Sequence, residues 1–104
     1  MKELLTLVGT RFLGIEAVQA VKAMKAGDVV CLIREPDNPH DGNAIKVMAR
    51  DRTRASPVNM HVGYVKGTDA VTLAKRMDKN DWRTMWGNVT YAGATQPMIE
   101  IEGE

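Results

Sequence analysis

Arg34-Glu35-Pro36-Asp37-Asn38-Pro39-His40-Asp41-Gly42-Asn43-Ala44-Ile45-Lys46-Val47 joins an apolar run, Val29-Val30-Cys31-Leu32-Ile33, to an alternating one, Ala44 to Ala49. Between them lie two prolines, two asparagines, two aspartates and a glycine, the composition of a tight connection between two strands. Each proline drives the residue before it out of the helical region, so Glu35 and Asn38 are expected to be extended. Asp41-Gly42 is a turn signal, because glycine accepts positive φ without steric cost. A plain hairpin needs only about two residues at its tip. Here Arg34, Glu35, Asp37, His40 and Asp41 crowd ionisable groups into the connection, more than a turn requires.

Outward from this stretch the chain reads as short strands with one or two helices. Leu4 to Val8 is a mostly buried strand ending near Phe12, with Gly9 a candidate bulge or site of close backbone approach. Glu16 to Ala26 has helix formers with Ala17, Val18, Val21 and Met24 on one face, and Gly27 is placed to end it. Val29 to Arg34 is a continuous apolar strand, expected to be buried on both sides. Ala44 to Arg50 alternates, with Ile45, Val47 and Ala49 on one face and Lys46, Met48 and Arg50 on the other. Asp51 to His61 is polar and reads as a loose hairpin loop, and His61 to Val65 as another strand. Thr68-Asp69 is a capping signal for a helix whose Ala70, Leu73, Ala74 and Met77 follow helical spacing. Trp82 to Tyr91 alternates as a strand, Gly93 to Pro97 turns, and Met98 to Glu102 is the last strand. Five or six short strands with one or two helices predict a mainly β, α+β fold: a small β-barrel with a covering helix.

A chain of 104 residues is expected to form one domain over residues 1–104. Its single cysteine, Cys31, has no internal disulfide partner and suits a small hydrophobe on a buried strand. The lack of disulfides, and an N-terminus without a signal-peptide pattern, fit a cytoplasmic setting. No apolar run approaches membrane-spanning length, so no membrane contact is expected. Fourteen basic residues against thirteen acidic leave a net charge of +1. Proteins that hold long stretches of duplex are more basic, so any nucleic-acid contact should be small and local.

The central stretch resembles the signature of the HIRAN domain family. Val8-Gly9-Thr10-Arg11-Phe12, Gly27-Asp28 and Val62-Gly63-Tyr64-Val65 agree with the same layout, so the resemblance spans roughly Leu4 to Met77. It implies an OB-like, partly open barrel, and a non-catalytic DNA-binding module that recognises single-stranded 3′ ends bearing a free 3′-hydroxyl. It also implies partners of that kind, single-stranded DNA or DNA 3′ ends. Elsewhere the domain is attached to DNA-translocating ATPases and nucleases, and here a helicase or nuclease acting in trans is the expected protein partner, in a DNA-repair setting.

Seven residues are candidates for the DNA contact. Phe12 with Arg11 forms an Arg-aromatic pair, the ring able to stack a base and the guanidinium to take a phosphate; the alternative for Phe12 is a core position. Asn38 and Asp41 are either Asx-turn residues bonding nearby backbone or, as the resemblance implies, contacts to phosphate or sugar and to the 3′-hydroxyl. A carboxylate accepts a hydroxyl proton and repels a phosphate, which separates a free end from a continuing strand. His40 stands where the family usually has an aromatic residue, and imidazole stacks more weakly than phenol. Tyr64 and Lys66 correspond to a stretch that offers polar and basic groups to the DNA backbone; the alternative is a strand-end tyrosine and a solvated lysine. No cofactor or metal is expected.

Two other function classes compete. A protein-interaction module would use the loops and Trp82 or Trp86 as anchors. A metal-dependent nuclease or hydrolase would need Glu35, Asp37, His40 and Asp41 to converge, yet the sequence carries no Walker loop, nucleophile elbow or His-Glu zinc motif.

Overall fold

A computed structural model gives the architecture, and residues 2–51, 59–91 and 97–103 are described. Six antiparallel strands, β1 (Lys2–Val8), β2 (Val29–Arg34), β3 (Ile45–Arg50), β4 (Asn59–Val65), β5 (Thr84–Tyr91) and β6 (Pro97–Glu102), close into a barrel in the order β1-β4-β3-β2-β5-β6. Two helices accompany them, α1 (Ile15–Ala23) and α2 (Gly67–Lys79). The mainly β, OB-like expectation therefore holds, with one refinement. The barrel is closed rather than partly open, but its closing seam is short: β1 meets β4 only through Leu7↔Val65 and Val8↔Tyr64.

The seam depends on one glycine. A Cβ on Gly63 would stand 2.7 Å from the Val8 carbonyl oxygen and 2.7 Å from Leu7 Cδ1, closer than real contacts allow. The register slips beside it, Val47 facing Gly63 but Met48 facing His61, so β4 holds a bulge at Val62. The bulge expected at Gly9 is absent. Gly9 instead takes φ 81° and opens a 3-10 turn over Thr10–Leu13. Phe12 thus lies in that turn and not at a strand end.

Alternation along the strands explains the core. Leu5, Leu7, Val30, Leu32, Ile45, Val47, Val89, Ile99 and Ile101 are buried on inward positions. On β2 the pattern alternates, so the strand is not buried on both sides: Val29 is 55% exposed, and Cys31 is half-buried on the outer face. A continuous apolar run does not distinguish these cases by itself. Ala70, Leu73, Ala74 and Met77 of α2 join the core on the expected helical spacing.

Both helix ends differ from the sequence reading. α1 stops at Ala23, and Gly27 (φ 92°) belongs to the turn after it, where Asp28 Oδ2 accepts from the Lys25 N–H at 2.9 Å. α2 begins at Gly67 without a side-chain cap. Asp69 reaches across to accept from the Thr6 N–H at 3.1 Å, while the Lys66 N–H donates to the Thr6 carbonyl at 2.8 Å. A long-range donor has outcompeted the local cap, and it pins the start of α2 against β1. The expected hairpin over Asp51 to His61 and the turn at Gly93 to Pro97 fall largely outside the described residues.

Candidate functional site

The loop between β2 and β3 is built from its own polar groups. Asn38 N–H donates to the Glu35 carbonyl at 3.1 Å, with Pro36 presetting φ in the turn. Asn38 Oδ1 accepts from the N–H groups of His40 (2.9 Å) and Asp41 (3.2 Å). Asp41 Oδ1 accepts from the Asn43 N–H at 2.8 Å, and the Ala44 N–H donates to the Asp41 carbonyl at 3.0 Å. Glu35 N–H to the Ala44 carbonyl (2.9 Å) closes the base. These bonds specify one loop conformation before any ligand arrives, so little ordering cost remains for binding.

Asn38 is the organiser of this loop. Besides accepting twice, its Nδ2 donates to Glu35 Oε1 at 3.2 Å and approaches Tyr64 Oη at 3.5 Å. Its polar atoms are engaged within the protein, where they position the loop. Asn38→Ala should lower stability by about 1 kcal/mol, a shift of roughly 4–8 °C in Tm. Asn38→Asp, which keeps the accepting oxygen, should lose less; paired thermal melts check this.

Arg34 fixes the loop to the scaffold, a role not assigned from the sequence. It is 7% exposed, forms a two-point pair with Asp78 of α2 (Nε to Oδ1 3.0 Å, Nη2 to Oδ2 3.0 Å) and donates to the Ala44 carbonyl at 3.2 Å. A signal was available: Arg34 shares the inward parity of Val30 and Leu32. An inward charge at the end of a strand needs a partner.

Asn38, His40, Asp41 and Tyr64 line one cleft together with Val8, Ala44, Val65 and Gly67. Its volume is about 270 Å³, at the small end for ligand clefts, which suits one nucleotide-sized group. A second depression adjoins it through Asn38, His40 and Tyr64 and runs out to Arg83. Lys66 is exposed and stands in the chain between the cleft residues Val65 and Gly67 without lining the cleft itself. Arg11 and Phe12 do not line the cleft. They stand on the 3-10 turn that follows its wall residue Val8, held against β4 by Thr10 Oγ1 donating to the Val62 carbonyl at 2.6 Å. Phe12 is 79% exposed, with the Arg11 guanidinium 4.9 Å from its ring centroid. It is not part of the core.

The chemistry available is recognition by polar groups. Asp41 is exposed; Oδ1 holds the turn, whereas Oδ2 has no partner among the described residues. Burial pushes the Tyr64 phenol above its usual range, and its hydrogen bond with Glu35 adds to the shift, so Tyr64 is a neutral donor at pH 7. Burial holds His61 below the usual histidine range, and Nε2 bonds the Gly63 carbonyl at 3.0 Å. His61 is thus a neutral support, packed edge-on against the Tyr64 ring with centroids 4.9 Å apart, and not a cation for phosphate. The Cys31 thiol is raised by burial, which disfavours the nucleophilic thiolate. Among the described residues no three His, Cys, Asp or Glu side chains come together as a metal-binding group. No helix among them is long and apolar enough to cross a membrane.

Among known families, the sequence model described as HIRAN domain matches residues 4–102. No curated protein and no solved structure matches the chain.

Proposed function

Since the chain belongs to the HIRAN domain family, whose members are generally non-catalytic DNA-binding modules, we propose that it binds the 3′ end of single-stranded DNA through the cleft at Asp41. The observation that carries this reading is the Oδ2 of an exposed aspartate on a preformed loop, unpaired among the described residues, in a cleft shared with His40 and Tyr64. A terminal hydroxyl donates to that oxygen; a continuing phosphate is repelled by it. His40 and Tyr64 offer ring surface and a neutral donor to the last nucleotide. Lys66, between the cleft residues Val65 and Gly67 in the chain, and Arg11 on the neighbouring turn offer charge to the phosphates, and Phe12, already capped by Arg11 on one face, offers a stacking surface.

Fluorescence titration with one short oligonucleotide, free or blocked at its 3′ end, tests the reading. The free end should bind and the blocked end should bind more weakly. Few cations are offered, so salt dependence should be shallow. Arg11→Ala should weaken all sequences alike and lower the slope of log affinity against log salt by about 0.7, the value for one phosphate contact on a single strand. A sequence-dependent loss would show that Arg11 reads bases.

A protein-interaction module is the competing reading, favoured by Trp82 and Trp86, 45% and 68% exposed. Partner binding indifferent both to salt and to Arg11 would support it. A helicase or nuclease acting in trans is the class of protein partner consistent with an end-binding module.

A further inference from the structure

The cleft opens onto an outer barrel face that the end-binding reading leaves unused. The register sets Tyr64 opposite Lys46, Lys46 opposite Ile33, and Ile33 opposite Thr84. One row further along, Trp86 stands opposite Cys31, and Cys31 opposite Met48. All of these alternate with buried residues and face away from the core. Along the outer positions of β2, β3 and β5 there is no acidic residue, whereas Lys46 and Arg50 project from β3 and Arg83 precedes β5. At the β5 edge of this face, beside Glu102 of β6, is the Trp86 indole, 68% exposed. The depression that shares Asn38, His40 and Tyr64 with the cleft runs along the loop past Glu35 and Asp37 to Arg83, and the outer face adjoins the site through the pairing of Lys46 with Tyr64.

We propose that this face carries the nucleotides on the 5′ side of the bound end, with one base stacked on Trp86. The proposal rests on the end-binding reading. An apolar strip whose outward charges on β2 and β3 are cationic matches a polyanion with flat bases, and the carboxylate beside Trp86, Glu102 of β6, is paired with Lys2. Lys46 already lies 3.8 Å from Glu35, so its charge is shared, and Arg83 and Arg50 supply the remainder. Oligonucleotide binding across this part of an OB-type barrel is common. From Tyr64 to Trp86 the path crosses three strand spacings and two residues, about 16 Å along the surface. A strand advancing about 3.4 Å per stacked nucleotide, or roughly twice that when extended, covers this in about three to five nucleotides. A dinucleotide is therefore too short to reach Trp86, and an octanucleotide is long enough.

Anisotropy titrations of the whole chain with oligothymidylates of two and eight nucleotides, each with a free or blocked 3′ end, test this. Wild type should bind the octanucleotide more tightly than the dinucleotide. Trp86→Ala should weaken the octanucleotide about 5- to 100-fold, the range for one lost base–aromatic stack, and leave the dinucleotide unchanged. Trp86→Phe should retain most of the affinity. Unchanged octanucleotide binding by Trp86→Ala overturns the proposal and leaves the face to a protein partner. So does an equal loss at both lengths, because Trp86 would then act through the fold. Failure of the end reading looks different: free and blocked ends would bind wild type alike. Octanucleotide binding that still depends on Trp86 would in that case uphold the stacking face while removing end recognition.

Discussion

Asp78→Ala lowers stability by about 2–4 kcal/mol, which for a chain of this size moves Tm by roughly 10–25 °C. The reason is the asymmetry of the pair. The Arg34 side chain is 5% exposed and that of Asp78 55% exposed. Removing the carboxylate strands a buried cation whose remaining acceptor among the described residues is the neutral Ala44 carbonyl. Loss of one partner from a fully buried pair costs about 3–5 kcal/mol; solvent beside Asp78 reduces that figure. Arg34→Met removes the need for a partner and keeps much of the packed volume, and the Ala44 carbonyl still accepts from the Glu35 N–H. The double variant Arg34→Met with Asp78→Ala should therefore be more stable than Asp78→Ala alone, a coupling that chemical denaturation reads directly. A single Asp78→Ala variant within 0.5 kcal/mol of wild type, about the error of such a comparison, would mean that water solvates Arg34 from the loop side and that the pair does not anchor the loop.

How far the sequence carried can be judged residue by residue. The strand count, the inward face of β3 and the core face of α2 follow from periods of two and of 3.6, which local chemistry writes directly into the chain. The loop after Arg34 was readable because Pro36, Asn38, Asp41 and Gly42 each restrict backbone or bond it locally. What was not readable depends on contacts between distant segments. Asp69 looked like a cap until the Thr6 N–H competed for it. Gly63 is required by the Val8 carbonyl across the barrel seam, which nothing near Gly63 announces. Phe12 carries an apolar side chain that residue type assigns to the core, yet the 3-10 turn sends it outward beneath Arg11. The two-sided reading of β2 failed for a related reason: Val29 and Cys31 are apolar residues on an outer face. Within the site, Asn38, His40, Asp41 and Tyr64 share one cleft, whereas Arg11 and Phe12 stand beside it. Periodicity located the pieces, but only the register of β4 against β3 brings Tyr64 to the loop.

The proposed end recognition by Asp41 has the sharpest consequence. Asp41 Oδ1 is needed by the Asn43 N–H, so truncation to alanine would disturb the turn along with any ligand contact. Asp41→Asn is the better probe. Its amide oxygen can serve Asn43, and the partnerless Oδ2 becomes an NH₂ group, a donor where an acceptor stood. A 3′-hydroxyl then loses its acceptor, a loss of about ten-fold or more in affinity. A 3′-phosphate loses a repelling charge at close range and gains a donor. The two substitutions, one in the protein and one in the oligonucleotide, should therefore be strongly coupled.

The most direct test is the affinity of wild type and Asp41→Asn for the same short oligonucleotide ending in a 3′-hydroxyl or a 3′-phosphate, with a thermal melt of the variant to confirm the fold. Wild type should prefer the hydroxyl by about ten-fold or more, and Asp41→Asn should lose most of that preference. Equal binding of the two oligonucleotides by wild type, or a preference that persists undiminished in Asp41→Asn, would contradict end recognition by this cleft and leave Asp41 as a turn residue.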